Sequence, residues 1–185
     1  MMGRDPVQAA AVRAYTALVE QARTPALYEA PPEGYGVPDT VEGRFDLVTL
    51  HVFLFLRRLK EAPEDTETGT GRFAQMVFDI MFRNMDDSLR EMGVGDMKVP
   101  DKVRGLAEAF YGRVGAYDGV MDDRAALADA LSRNVYGTDG EPAADALAAY
   151  VQRAAGRLDA TPITTLTDGT VPLPAPRRQD RKEAA

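Results

Sequence analysis

Residues 47–56, LVTLHVFLFL, form the most apolar stretch of this chain and constrain its fold more than any other feature. They lie inside a segment that opens at Pro38-Asp39-Thr40, a helix-start signal, and reaches about Lys60. Phe45, Leu47, Val48, Leu50, Val52, Phe53, Leu54, Phe55, Leu56 and Leu59 cover nearly the whole circumference of that helix. A surface helix keeps a polar face, so one that is apolar all round belongs at the centre of a bundle. A membrane span needs about twenty apolar residues, roughly twice the length of this run.

The rest of the pattern is helical as well. A first helix starts at Asp5-Pro6 and runs to about Arg23, with Val12, Tyr15, Leu18 and Val19 as its inward stripe. A third covers about Arg72 to Met92, where Phe73, Met76, Val77, Ile80, Met81, Met85, Leu89 and Met92 recur at three- and four-residue spacing before Gly93. A fourth opens near Pro100-Asp101 and turns Val103, Leu106, Phe110, Val114, Tyr117 and Met121 to one side. A short fifth helix spans about Asp123 to Asn134, with Leu127, Leu131 and Val135 inward and Gly137 after it. The sixth, from Pro142 to about Leu158, is alanine-rich and weakly apolar. No segment shows sustained apolar-polar alternation, so the expected fold is all-α: a single-domain bundle of about six helices over residues 1–160, with the second at its centre. The acidic loop 62–71 is expected to be exposed and mobile. Residues 161–185, with four prolines and a charged end, are expected to be a disordered tail removable at little cost in stability.

A chain of 185 residues is long enough to bury a core without covalent staples. No cysteine and one histidine exclude a Cys/His zinc site, a thiol nucleophile and an iron-sulfur cluster. A formal charge of −7 argues against general nucleic-acid binding, which depends on neutralising phosphates. The first residues carry no basic stretch followed by a long apolar one, so the expected setting is the cytoplasm of a bacterium. His51 lies within the apolar second helix and reads as a buried, hydrogen-bonded histidine; a haem-binding or redox helical protein using His51 is the alternative. Asp79, Asp86, Asp87, Glu91 and Asp96 lack the Glu-x-x-His pairs of carboxylate metal bundles and read as a solvated face. No phosphate-binding loop is present in the sequence. The residues therefore point to no catalytic site, no cofactor and no metal.

Methionine is the more informative residue. Met76, Met81, Met85, Met92 and Met97 place five of the chain's 8 methionines on and just after the third helix. Flexible thioethers fill irregular core gaps, and they also let one surface repack around different apolar partners. A protein interaction module is the blandest role compatible with that surface.

Four segments together carry a family resemblance: GVPDTVEGRFDLVTLHVFLFLRRLK (36–60), AQMVFDIMFRNMDDSLREMGVGD (74–96), AEAFYGRVGAYD (107–118) and ALADALSRNVYG (126–137). In this order they resemble the ubiquinol-cytochrome c reductase chaperones, assembly factors of respiratory complex III. The resemblance implies a helical, non-enzymatic chaperone that binds newly made cytochrome b, in mitochondria with a small partner protein and near the ribosomal exit tunnel. For this chain it implies a bacterial counterpart, cytoplasmic and peripheral at the inner face of the cytoplasmic membrane. The acidic balance speaks against stable ribosome docking, although Arg57, Arg58 and Lys60, and Lys98, Lys102 and Arg104, are basic spots for a weak contact. The candidate client-binding residues are Met81, Met85 and Met92 on one stripe, Asp86, Arg90, Glu91 and Asp96 as a charged rim, and Tyr111 and Arg113 from the fourth helix. Alternatively, Arg90 and Glu91 tie the end of the third helix to the fourth.

Overall fold

Asp5 begins the first helix: its side chain accepts a hydrogen bond from the Val7 amide, and Pro6 fills the first position, where no amide is needed. The computed structural model describes residues 5–62 and 69–177, and every regular element among them is helical. These are α1 (Pro6–Ala22), a 3-10 turn (Pro25–Leu27), α2 (Val41–Lys60), α3 (Thr70–Glu91), α4 (Val99–Asp118), α5 (Arg124–Leu131), α6 (Ala143–Asp159) and α7 (Ile163–Thr167). Ser132–Tyr136 continues α5 as π-helical turns, and Gly137, at φ 69°, ends it in the left-handed conformation that glycine tolerates best. The expected acidic loop falls largely at 63–68, outside the described residues.

Helix α2 is central, as its composition demands. Thr40 caps its start by accepting from the Gly43 amide, and Leu47 to Phe55 are all buried apart from the half-buried Val48. It packs against α1, α3, α4 and α6. On α1 the buried stripe is Ala10, Ala11, Ala14, Tyr15, Leu18 and Ala22. Val12, expected inward, is exposed, because the small alanines let α1 approach its neighbours on the adjacent face.

The C-terminal third is more closely packed than its composition suggests, and one expectation for it, the disordered tail, needs correction. The weakly apolar α6 buries nine residues, among them Leu147, Tyr150, Val151 and Leu158, with alanines giving close approach to α5 and α2. The stretch 161–177 is also packed. Leu166 is buried in α7, and Val171 and Leu173 lie against the core. The chain then runs as a strap across α1 and α6. Gly169 sits so close to α1 that a Cβ there would come within 2.6 Å of the Ala10 carbonyl oxygen. Arg13 Nη2 donates to the Asp168 carbonyl at 2.6 Å, Gln21 Nε2 to the Pro174 carbonyl at 2.7 Å and the Tyr35 hydroxyl to the Arg177 carbonyl at 2.9 Å. Prolines suit such a segment, which needs extended backbone without internal amide bonds.

Candidate functional site

The α3 end, the turn after it and α4 present the most apolar surface of the molecule. Met92, Met97 and Tyr111 are three of the five large apolar side chains standing exposed among the described residues, Met97 at 94%. The turn that carries the two methionines is held by Arg90, whose Nε lies 2.7 Å from Asp86 and whose Nη1 lies 2.5 Å from Asp96. Those two carboxylates hold the Arg90 guanidinium above its usual range, Asp86 contributing most. Arg90 therefore ties the α3 end to the turn that leads into α4. Tyr111 belongs to an aromatic cluster between α3 and α4, with ring centroids 6.0 Å from Phe78 and 5.7 Å from Phe110; Phe82 stacks 4.6 Å from Phe78. Phe78 and Phe82 are only partly buried.

The structure divides the candidates. Met81 is fully buried and Met85 nearly so, both against the core, while Met92, the residue that follows the end of α3 at Glu91, is exposed. Asp86, Arg90 and Asp96 meet in the ion-pair cluster, and Glu91 is exposed beside them. Tyr111 lies apart on the aromatic shelf. Arg113 faces the other way, toward α2, with Nη2 2.5 Å from Asp46 Oδ1 and its guanidinium carbon 5.5 Å from the Phe45 ring centroid. Burial pushes the Asp46 carboxyl up to about 6 against the pull of Arg113.

Sequence reasoning missed Asp46, Phe78 and Phe82. Asp46 lies four residues before Leu50 on a buried face, and Arg113 falls between Phe110 and Tyr117 on another; opposite charges on two apolar stripes are the signal that could have paired them. Phe78 and Phe82, four apart, mark a second face of α3 beside the methionine stripe.

His51 takes part in a different network. Nδ1 is 2.7 Å from the Leu47 carbonyl, which can only accept, so Nδ1–H donates; Nε2, 2.8 Å from the Tyr150 hydroxyl, accepts. Tyr150 in turn accepts from Gln21 Nε2 at 2.9 Å. Complete burial pushes the imidazole down to about 4. With both nitrogens committed and no exposed edge, His51 joins α2, α6, α1 and the strap, and axial ligation of a haem would break that network. Among the described residues no group of three His, Cys, Asp or Glu side chains is placed to hold a metal ion. Among them, too, no helix is long and apolar enough to cross a membrane. The basic spots are partly spent inside the fold: Arg57 pairs with Glu61 and Asp118, Arg58 donates to the Leu158 and Thr161 carbonyls, and Arg104 lies 3.6 Å from Asp101.

Residues 33–173 match the ubiquinol-cytochrome C chaperone family, a span that runs from the turn before α2 into the strap. The chain belongs to that family. As a ubiquinol-cytochrome C chaperone it falls among assembly factors, not enzymes. It shares 36% identity with the Cbp3 homolog from Brucella abortus, whose crystal structure superposes with a TM-score of 0.79 over 91% of this chain and 90% of that one. It is 29% identical over 131 residues to ubiquinol-cytochrome-c reductase complex assembly factor 1 of Xenopus laevis, and 28% identical over 132 residues to the Mus musculus counterpart. Each match covers 70% of this chain but only 61% of the frog protein and 42% of the mouse protein, so this ubiquinol-cytochrome C chaperone spans about three fifths or less of those relatives.

Proposed function

We propose that this chain is an assembly chaperone of respiratory complex III that binds newly made cytochrome b before its incorporation. Cytochrome b is a bundle of apolar helices, and unassembled helices of that kind aggregate in water or mispack in lipid. The observation that carries the proposal is the exposed apolar surface at the α3–α4 end, where Met92, Met97 and Tyr111 stand out beside the partly covered Phe78 and Phe82. Methionines and aromatics of this kind adapt to apolar helices, and Asp86, Arg90, Glu91 and Asp96 give the surface a charged rim. The client contacts assigned here are thus Met92 and Tyr111 with that rim; Met81, Met85 and Arg113 support it from within. The same reading places the chain on the cytoplasmic side of the membrane, with a small partner protein and brief contact with the bilayer or the ribosome as accessory interactions, and assigns it no cofactor.

The test is genetic and biochemical together. In the native organism, loss of the gene should lower assembled complex III, and a tagged chain should recover cytochrome b. Tyr111→Glu combined with Met92→Asp should reduce that recovery about tenfold without unfolding the protein. Normal complex III in the deletion strain, or undiminished recovery by the folded double variant, would overturn the assignment.

A further inference from the structure

Beside the exposed aromatic shelf, α2 and α4 leave a pocket that the packing does not fill. On α2 its wall is Phe53, Leu56, Arg57 and Lys60, one helical stripe; on α4 it is Phe110, Tyr111, Val114 and Asp118. The lining is chiefly apolar, the mouth opens to solvent, and the cavity of about 120 Å³ holds a single large side chain rather than a helix or a cofactor. A hole walled by two helices and closed by an aromatic floor is what a side chain of a third helix enters in knobs-into-holes packing. Tyr111 belongs both to this pocket and to the aromatic shelf, so the two form one continuous surface. The lip is charged unevenly. Arg57 is held by Glu61 at 2.9 Å and Asp118 at 3.5 Å, whereas Lys60 is exposed and makes no ion pair among the described residues.

We propose that the α2–α4 pocket is the anchor hole for one large apolar side chain of a client helix, with Lys60 receiving a carboxylate about one turn along that helix. The inference rests on the chaperone reading above and deepens it: the exposed shelf supplies adaptable area, and the pocket supplies register. An apolar helix is the fitting occupant because Phe53 and Leu56 on α2 face Phe110, Tyr111 and Val114 on α4, an apolar wall of about one turn on each helix with the charges confined to one end, which matches a single large side chain followed by a polar one on a helix. The carboxylate follows from the exposed Lys60 ammonium at the lip, which has no ion-pair partner among the described residues.

The experiment places photo-leucine, a leucine-sized diazirine photo-crosslinker that leaves the pocket open, at Leu56 and, separately, at Val114 of the full chain in the native organism, with Val12 on the exposed face of α1 as control. Adducts are mapped by peptide sequencing. The expected result is attachment from both pocket positions to one apolar helical segment carrying a carboxylate within about four residues, at least about tenfold above the control. A second variant, Val114→Trp, plugs the pocket; recovery of the same segment should fall about tenfold while the thermal midpoint stays within a few degrees. Lys60→Glu should weaken recovery several-fold, and exchange of the client carboxylate for lysine should restore it. Adducts on an apolar helix of a protein other than cytochrome b uphold the pocket and overturn the client named above. Recovery of cytochrome b without adducts at Leu56 or Val114, adducts on polar segments, no adduct above the control, or undiminished recovery by a folded Val114→Trp chain overturns the pocket.

Discussion

Replacing Arg113 by methionine removes the cation from the buried Asp46 carboxylate while keeping an apolar stem over Phe45. The two side chains are only 19% and 6% exposed, and Nη2 lies 2.5 Å from Oδ1. At an effective dielectric of about 20, charges about 4 Å apart attract by about 4 kcal/mol. Breaking a buried pair from one side costs about 3–5 kcal/mol because the remaining charge is stranded. In the parent protein burial already raises Asp46 from 3.8 to about 6, which corresponds to at most about 3 kcal/mol and less where water still reaches the carboxylate. In the variant that value rises further. The native state then holds the Asp46 proton more tightly than the unfolded chain does, so stability is recovered as pH falls through the folded value. We expect Arg113→Met to cost about 3 kcal/mol at pH 8, a fall in thermal midpoint of roughly 6–12 °C for a chain of this size, and only about 1 kcal/mol at pH 5. Urea unfolding followed by circular dichroism at steps between those limits measures it, with parent subtracted at each pH so that other titrations cancel. In an Asp46→Asn background, which removes the titrating group, Arg113→Met should show no such trend. A cost that is flat between pH 8 and 5, or larger at pH 5, would refute the argument.

His51→Gln should change the acid response in the opposite sense: the buried imidazole protonates near 4 in the fold and near 6.5 when unfolded, so the parent loses stability as pH falls across that interval. The variant should lose up to about 3 kcal/mol less over the same range, and equal losses in urea titrations would contradict the burial of a neutral ring. Deleting residues 168–185 should lower the thermal midpoint by several degrees, because it removes the carbonyl partners of Arg13, Gln21 and Tyr35 and uncovers the faces against Val171 and Leu173; an unchanged midpoint would show the strap contributes nothing. Met81→Asp should cost more than about 3 kcal/mol by burying an unpaired charge, whereas Met92→Asp should stay within about 0.5 kcal/mol of the parent; similar costs at both positions would contradict their burial.

How far the sequence could be read depended on whether a residue's role was set by its own helix or by a distant one. The caps at Asp5 and Thr40, the central position of α2 and the stop at Gly137 are local, and each is legible from neighbouring residues. The strap is not local. Its prolines and scarce apolar residues suit disorder equally well, and what orders it is a set of donors on α1, α6 and the turn before α2, up to 155 residues away in sequence. Alanines misled in a related way on α1: Ala10, Ala11 and Ala14 bury little area each, yet they set how closely helices approach, so Val12, expected inward, stands exposed. In the candidate site Met85 and Met92 share one stripe by periodicity, and the difference in their burial depends on which neighbouring elements cover each turn, which no single helix encodes.

The polar residues within α2 show why one side of the bundle is suited to a partner. Toward α6, His51 is fully satisfied by Leu47 and Tyr150, and Tyr150 is linked onward to Gln21 and the strap. Toward α4, Asp46 meets Arg113, but the buried hydroxyls of Thr49 and Tyr117 have no hydrogen-bond partner among the described residues, and unsatisfied buried hydroxyls weaken that seam. Helix α4 buries only Val99, Phe110 and Tyr117, against nine residues on α6. Four of the nine on α6 are large (Leu147, Tyr150, Val151 and Leu158), so at about 1.5–3 kcal/mol for each buried large apolar side chain the two helices gain comparable amounts, and α6 differs by the five alanines that bring it close to its neighbours. Helix α4 carries Tyr111 and one wall of the anchor pocket. A binding surface that must accept apolar helices of varied shape is served by this asymmetry: a wall on α2 fixed by the satisfied His51 network behind it, facing a wall on α4 across a seam that holds unsatisfied hydroxyls.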